Sequence, residues 1–283
     1  DLIEIRAPDP ALHVLFIPGN PGVVSFYTDF LVCLYELLGG TASVTGIGHT
    51  SHFEKNWGHG HLFSLQEQVD HKARFMEQEF KNVEVPIVLV GHSIGSYMCI
   101  ELFKRRRDKV RYCICLHPFL AVNRASLTQA SIAKLVRSPV LCATASFVGA
   151  ILGMLPYSLS RFITRNSVGK SWSPFAIQIL LSHVLKYHTL RNMLFLAKTE
   201  FETLSEKPEV DFIREKKNEM AFIFGLDDHW APRNLSEELR KEVPDLRTLM
   251  EEGGYPHAFG CTEDGSLAIA KLVSGLIENR FDE

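Results

Sequence analysis

No sign of charge dominates this chain. Lys and Arg number 30 against 33 Asp and Glu, a formal net charge of −3 over 283 residues, so a general nucleic-acid binder is not expected. Low-complexity tracts, internal repeats and Gly/Ser linkers are lacking, which removes collagen-like and tethered-module architectures. A polar excess is lacking too: 46% of residues are hydrophobic and 22% charged, too apolar for disorder. No cysteine spacing suggests a disulfide framework or a metal knuckle. Cys33, Cys99, Cys113, Cys115, Cys142 and Cys261 fall mostly in apolar runs and read as buried thiols of a reducing compartment.

What is present is a long, fairly greasy chain with mean hydropathy +0.03, long enough to bury a large core. Short apolar runs alternate with amphipathic ones. Strands are expected at Leu2–Ile5, His13–Ile17, Ser43–Ile47, Pro86–Val90, Tyr112–Leu116, Met220–Phe224 and Arg247–Met250. Most are nearly continuous apolar runs, as strands buried on both faces of a parallel sheet should be. Helices are expected at Phe26–Leu38, Leu65–Phe80, Ile94–Arg106, Ser236–Glu242 and Ser266–Asn279. This rhythm predicts a doubly wound α/β fold with a mostly parallel central sheet flanked by helices. It breaks over 118–217, which reads as a helical cap or lipid-association insertion between two core segments, 1–117 and 218–283.

The chemistry centres on Gly91-His92-Ser93-Ile94-Gly95. It follows an apolar strand and precedes a helical pattern, the context a nucleophile elbow requires. A serine on a tight turn presents its hydroxyl at the carboxyl edge of the sheet, and the helix behind it aims N–H groups at developing negative charge. Such a serine needs a base and an orienting acid, in the order Ser, Asp/Glu, His. After the strand Met220–Phe224 come Asp227 and Asp228. Asp228 is the candidate acid and Asp227 the alternative; either can equally be a turn or capping residue. His257 lies on a glycine-rich loop after the last strand, which selects it as base among 12 histidines. The oxyanion hole needs two backbone N–H groups: one from Ile94, the other from the loop Pro18-Gly-Asn-Pro-Gly22. Pro21 has no N–H, which favours Asn20, with Gly19 second.

Together Pro18-Gly-Asn-Pro-Gly22, Gly91-His-Ser-Ile-Gly95, Gly225-Leu-Asp-Asp228 and Pro256-His257 resemble the lipid droplet-associated hydrolase family, a branch of the α/β-hydrolases. The similarity runs over most of the chain. It implies an α/β-hydrolase fold with Ser93 as nucleophile, Asp228 as acid and His257 as base. It also implies a lipid ester substrate, neutral lipid or sterol ester, at the cytosolic face of lipid droplets and endoplasmic reticulum. The expected reaction is ester hydrolysis through an acyl-enzyme, without metal or organic cofactor. A lipid-surface protein with weak catalysis is the alternative. So are a thioesterase, a small-ester hydrolase or an acyltransferase, because the same triad serves each. The start at Asp1 reads as trimmed, with a leading family strand missing.

Three further features call for a reading. His49, His52, His59 and His61 share one loop; their spacing matches no common zinc motif, so a polar pocket rim is expected. Lys104-Arg-Arg-Arg107 with Lys109 and Arg111 ends a helix and complements its dipole, with anionic headgroups as an alternative contact. Ser138–Ser160 holds 23 residues without Asp, Glu, Lys, Arg or His. A cap helix, a monotopic surface segment and a transmembrane helix all remain open for it. A second apolar helix is expected at Pro174–Tyr187. The inserted region is expected to be removable without loss of the sheet.

Overall fold

The computed structural model describes residues 1–56, 58–167, 170–226, 228–231 and 233–281. Among these residues the sheet has seven strands: β1 (Leu2–Ile5), β2 (Leu12–Ile17), β3 (Ala42–Ile47), β4 (Ile87–His92), β5 (Val110–Leu116), β6 (Met220–Gly225) and β7 (Arg247–Glu251). Their order is β1-β3-β2-β4-β5-β6-β7. Only β1 runs antiparallel, against β3; every other pair is parallel. All seven strands fall where the apolar runs put them. β4 runs two residues further than expected because Gly91 and His92 still pair with Cys115 and Leu116.

The continuous apolar runs have a simple outcome. Successive side chains of a strand point to opposite faces, and both faces here are covered. Ile87 and Leu89 of β4, Cys113 and Cys115 of β5, and Phe222 and Phe224 of β6 enter one core. Val88 and Val90, Ile114 and Leu116, and Ala221 and Ile223 enter the other. The first core is closed by α2 (Leu65–Glu79), α3 (Ile94–Arg105) and α10 (Arg233–Glu242), the second by α1 (Thr28–Leu37) and α11 (Glu263–Phe281). Ser64 caps α2 and completes a capping box with Glu67, a local signal that fixes where the helix begins. A 3-10 turn, Val24–Tyr27, precedes α1, so the expected helix from Phe26 starts later as a true α-helix.

Between β5 and β6 run α4 (Leu127–Arg137), α5 (Pro139–Met154), α6 (Tyr157–Asn166), α7 (Pro174–Ile179), α8 (Tyr187–Thr203) and α9 (Asp211–Glu215). The expected helix Pro174–Tyr187 is broken: α7 passes into a π-turn at Leu180–Val184, and Lys186 is extended before α8. The Leu185 carbonyl lies so close to Gly153 that a Cβ there would sit 2.4 Å away. This close approach lets α5 pack at the break. No described helix is long and apolar enough by itself to cross a membrane, and α4 and α5 meet at a bend of 102°. The inserted helices also contribute side chains to both cores. Leu196, Phe212 and Ile213 belong to one sheet-side core and Ile179, Leu180 and Val184 to the other. Removing the segment would strip both cores of buried apolar surface, each such side chain worth about 1.5–3 kcal/mol.

Four cations of the basic run at the end of α3 are paired with carboxylates. Lys104 pairs with Glu101 and Glu209, Arg105 with Asp70, Arg106 with Asp108 and Arg107 with Glu215. The headgroup contact considered for it gains no support from this arrangement. On α2, Lys72 is fully buried with its Nζ on Gln68 Oε1 at 3.0 Å, and burial lowers its pKa well below the ordinary lysine value.

Candidate active site

Ser93 sits between β4 and α3 with φ 53° and ψ −123°. A non-glycine residue in that region costs on the order of 1–3 kcal/mol and persists only where its surroundings enforce it. They do so here. Ser93 N donates to Leu116 O at 2.9 Å, and its carbonyl accepts from Ser96 N and Phe119 N at 3.0 and 3.2 Å. Ser96 Oγ donates to Gly91 O at 2.8 Å. The flanking glycines are there for space: a Cβ on Gly91 would lie 2.4 Å from Gly95 O, and one on Gly95 2.3 Å from Ile17 O. The turn therefore holds the serine at the carboxyl edge of the sheet, 8% exposed. Its hydroxyl makes no hydrogen bond to a described residue.

His257 and Asp228 reach the same edge from the loops after β7 and β6. His257 Nδ1 lies 2.7 Å from Asp228 Oδ2. The other carboxylate oxygen accepts from Trp230 N and Ala231 N at 2.8 and 3.2 Å. Asp228 thus shapes its own loop and also holds the imidazole, so its turn-forming role does not compete with the acid reading. Burial pushes its carboxyl up, but the bond from His257 and the charges nearby outweigh it and hold the pKa below the usual value. Asp227, the alternative acid, lies outside the described residues.

The Pro18–Gly22 loop presses against the elbow. A Cβ on Gly19 would be 2.9 Å from Ser93 Cβ, and the Gly19 amide interacts with the Tyr27 hydroxyl. Asn20 follows Gly19 on this loop, and Ile94 opens α3 directly after Ser93. The Asn20 side chain is held by α8: Nδ2 donates to Met193 O at 3.0 Å and to Glu200 Oε1 at 3.2 Å. Glu200 is buried, and burial raises its pKa to about 8, against the lowering effect of the Asn20 bond.

Of the four loop histidines, two prop this loop and none makes a pocket rim by itself. His52 Nδ1 accepts from Gly22 N at 2.9 Å, and His49 N donates to Gly22 O at 2.8 Å. Both are buried rather than at a rim, and burial lowers the pKa of His52 to about 3. His61 turns away to Glu67, and His59 is exposed.

Two other histidines close around the site, and the sequence reading passed over both. His92 precedes Ser93, with Nδ1 2.7 Å from the Tyr27 hydroxyl. His117 follows β5 with φ 42°, and its Nδ1 lies 3.7 Å from Asp228 Oδ2. Burial, then the neighbouring His257, lowers the pKa of His117 to about 4 and that of His92 well below its ordinary value. A polar residue at the carboxyl end of an otherwise apolar strand was the available signal for each. Glu200 had none, because an acid on an amphipathic helix normally faces water.

Residues 10–260 match the family described as lipid-droplet associated hydrolase. The chain is 28% identical to the lipid droplet-associated hydrolase of Gallus gallus, over 94% of this chain and 84% of that protein. It is 24% identical to that of Dictyostelium discoideum, over 92% and 86%, and 26% to that of Homo sapiens, over 88% and 80%. Among solved structures it is similar to the peroxisomal alpha-beta-hydrolase Lpx1 of Saccharomyces cerevisiae, with TM-score 0.68, 14% identity and coverage of 97% and 78%. A carboxylesterase structure from Nitrososphaera gargenis gives TM-score 0.68 and 14% identity over 100% and 95%. These structural likenesses establish the α/β-hydrolase fold.

Proposed function

Because this chain belongs to the lipid-droplet associated hydrolase family, a family of the α/β-hydrolase fold, we propose that it hydrolyses lipid esters by a serine acyl-enzyme mechanism at a lipid surface. Ser93 Oγ attacks the acyl carbonyl while His257 Nε2 takes its proton. Asp228 fixes the imidazole through Nδ1 and offsets the charge it gains. The backbone N–H groups of Ile94 and Asn20 hold the oxyanion. His257 then returns the proton to the departing alcohol, and water, activated by the same histidine, releases the acid. The observation that carries this reading is the 2.7 Å His257–Asp228 bond beside a serine held at positive φ.

The lipid surface rests on a second observation. Beyond the sheet, α5 and α6 expose Phe147, Val148, Met154 and Phe162, with Met154 84% and Phe162 67% exposed. Arg137, Arg161 and Arg165 flank these side chains and make no ion pair among the described residues. Exposed apolar side chains rimmed by cations suit a monolayer surface, with lipid droplet and endoplasmic reticulum as its setting. An exposed apolar surface of this kind also favours a greasy acyl group over a short one.

The test uses purified protein with a fluorophosphonate probe and a chain-length series of nitrophenyl esters, in solution and in emulsion. Wild type should label and Ser93→Ala should not, and activity should rise with acyl length in emulsion. Full labelling of Ser93→Ala would overturn the nucleophile, and a clear preference for short soluble esters would overturn the lipid substrate. One observation favours the alternative of a surface protein with weak catalysis: the serine is nearly enclosed and its neighbour Asn20 is tied to α8. Equal rescue of a lipid phenotype by wild type and Ser93→Ala would decide for that view.

A further inference from the structure

Three imidazoles from three different loops meet at the carboxyl edge of the sheet. His92 ends β4, His117 follows β5 and His257 follows β7. One ring nitrogen from each lies within 4.8 Å of the other two. His92 and His117 are 3% and 0% exposed, and three of their nitrogens, His92 Nε2 and both of His117, make no hydrogen bond. Buried polar atoms are nearly always satisfied, so a cluster of three orphans asks for an occupant.

The outer partners of such an occupant are already in place. An imidazole that binds a metal through one nitrogen usually donates its other N–H to a carboxylate, hydroxyl or carbonyl, which fixes the ring. His257 Nδ1 is bonded to Asp228 and His92 Nδ1 to Tyr27, so in both rings Nε2 is the nitrogen left over. Tetrahedral zinc with Zn–N near 2.0–2.1 Å places its nitrogens about 3.4 Å apart. The rings must therefore close by about an ångström. His257, whose side chain is 21% exposed, has the room to do this, while the other two are enclosed.

We propose that His92, His117 and His257 form an inhibitory site for a borderline divalent cation of the zinc class, with water as the fourth ligand. The ion takes the His257 nitrogen that would otherwise accept the proton of Ser93, so it stops hydrolysis without displacing Asp228. The inhibitory consequence rests on the function proposed above. Metal binding itself does not.

The test is a titration of purified metal-free protein with Zn2+ and Co2+. One equivalent should bind, and Co2+ should develop the visible absorption of a four-coordinate nitrogen and oxygen site. His117→Asn and His92→Phe should each weaken binding about tenfold or more, while a His59→Ala, His61→Ala double variant should bind as the parent does. Saturating Zn2+ should slow fluorophosphonate labelling of wild type about tenfold or more, reversed by chelator, against each protein's own metal-free rate. No binding at all, or binding undiminished in both His117→Asn and His92→Phe, would overturn the site. Absence of labelling in the metal-free wild type would instead count against Ser93 as nucleophile and leave the binding result standing.

Discussion

At the scale of single residues, the site depends on how one carboxylate is kept charged and another is kept neutral. Asp228 accepts two backbone amides and one imidazole, so Asp228→Asn should fold but hold the wrong tautomer of His257. The acylation rate, followed by fluorophosphonate labelling, should fall on the order of 10³–10⁴-fold, with little change in thermal midpoint. Glu200 is the opposite case. Unfolded, it loses its proton near 4.5; folded, it keeps it to about 8. Below about pH 4.5 both states are protonated and burial carries no ionisation penalty. Between those values the folded state binds more protons, so stability falls with rising pH by up to about 1.4 kcal/mol per unit. Glu200→Gln keeps an acceptor for Asn20 and removes this dependence. Its thermal midpoint should exceed that of wild type at pH 8 and match it at pH 4; equal midpoints at both would refute the buried neutral acid. His257 and Ser93 were legible because motif and chain order select them. Glu200, His92 and His117 were not, since their roles come from neighbours far away in sequence.

At the scale of elements, the strand–elbow–helix unit is built around backbone contacts that leave no room for a side chain. Gly95→Ala would set a methyl against the carbonyls of Ile17 and Pro18 at 2.3 and 2.6 Å. Neither is a flexible side chain, so the strand must shift. Denaturant midpoints should report a loss of about 1–3 kcal/mol or more. The inner strands β2 to β6 could be read from the sequence because buried parallel strands are continuous apolar runs bounded by polar turns, whereas β1 and β7 are half-exposed edge strands. Helix ends were less visible. The start of α1 depends on a 3-10 turn, and the break after α7 on the approach of Leu185 to Gly153, a tertiary contact that no local pattern records. The four loop histidines illustrate the same limit: their spacing suggested a rim, but Gly22 lies against the His49 ring and ties His52 beneath the Pro18–Gly22 loop.

At the scale of the whole molecule, the greasiness evident in the composition is divided between two places. Most of it lies in the two cores on either face of the sheet. Much of the exposed remainder is displayed on α5 and α6, where Phe147 and Phe162 face outward. Replacing both with serine should leave the thermal midpoint nearly unchanged, since neither is in a core, and should lower the fraction of protein that floats with lipid droplets. Undiminished flotation would show that other surface carries the attachment. The six free cysteines have a consequence of their own. Cys142 lies in α5 and Cys261 just before α11, while Cys99, Cys113 and Cys115 sit in the sheet core. A slow thiol reagent therefore has a graded set of clocks to read. If lipid merely loosens the inserted helices, Cys142 should alkylate sooner while Cys99, Cys113 and Cys115 keep their pace. If lipid unsettles the whole fold, all should quicken together. One mass spectrum taken over time would then locate where motion begins and how far inward it travels.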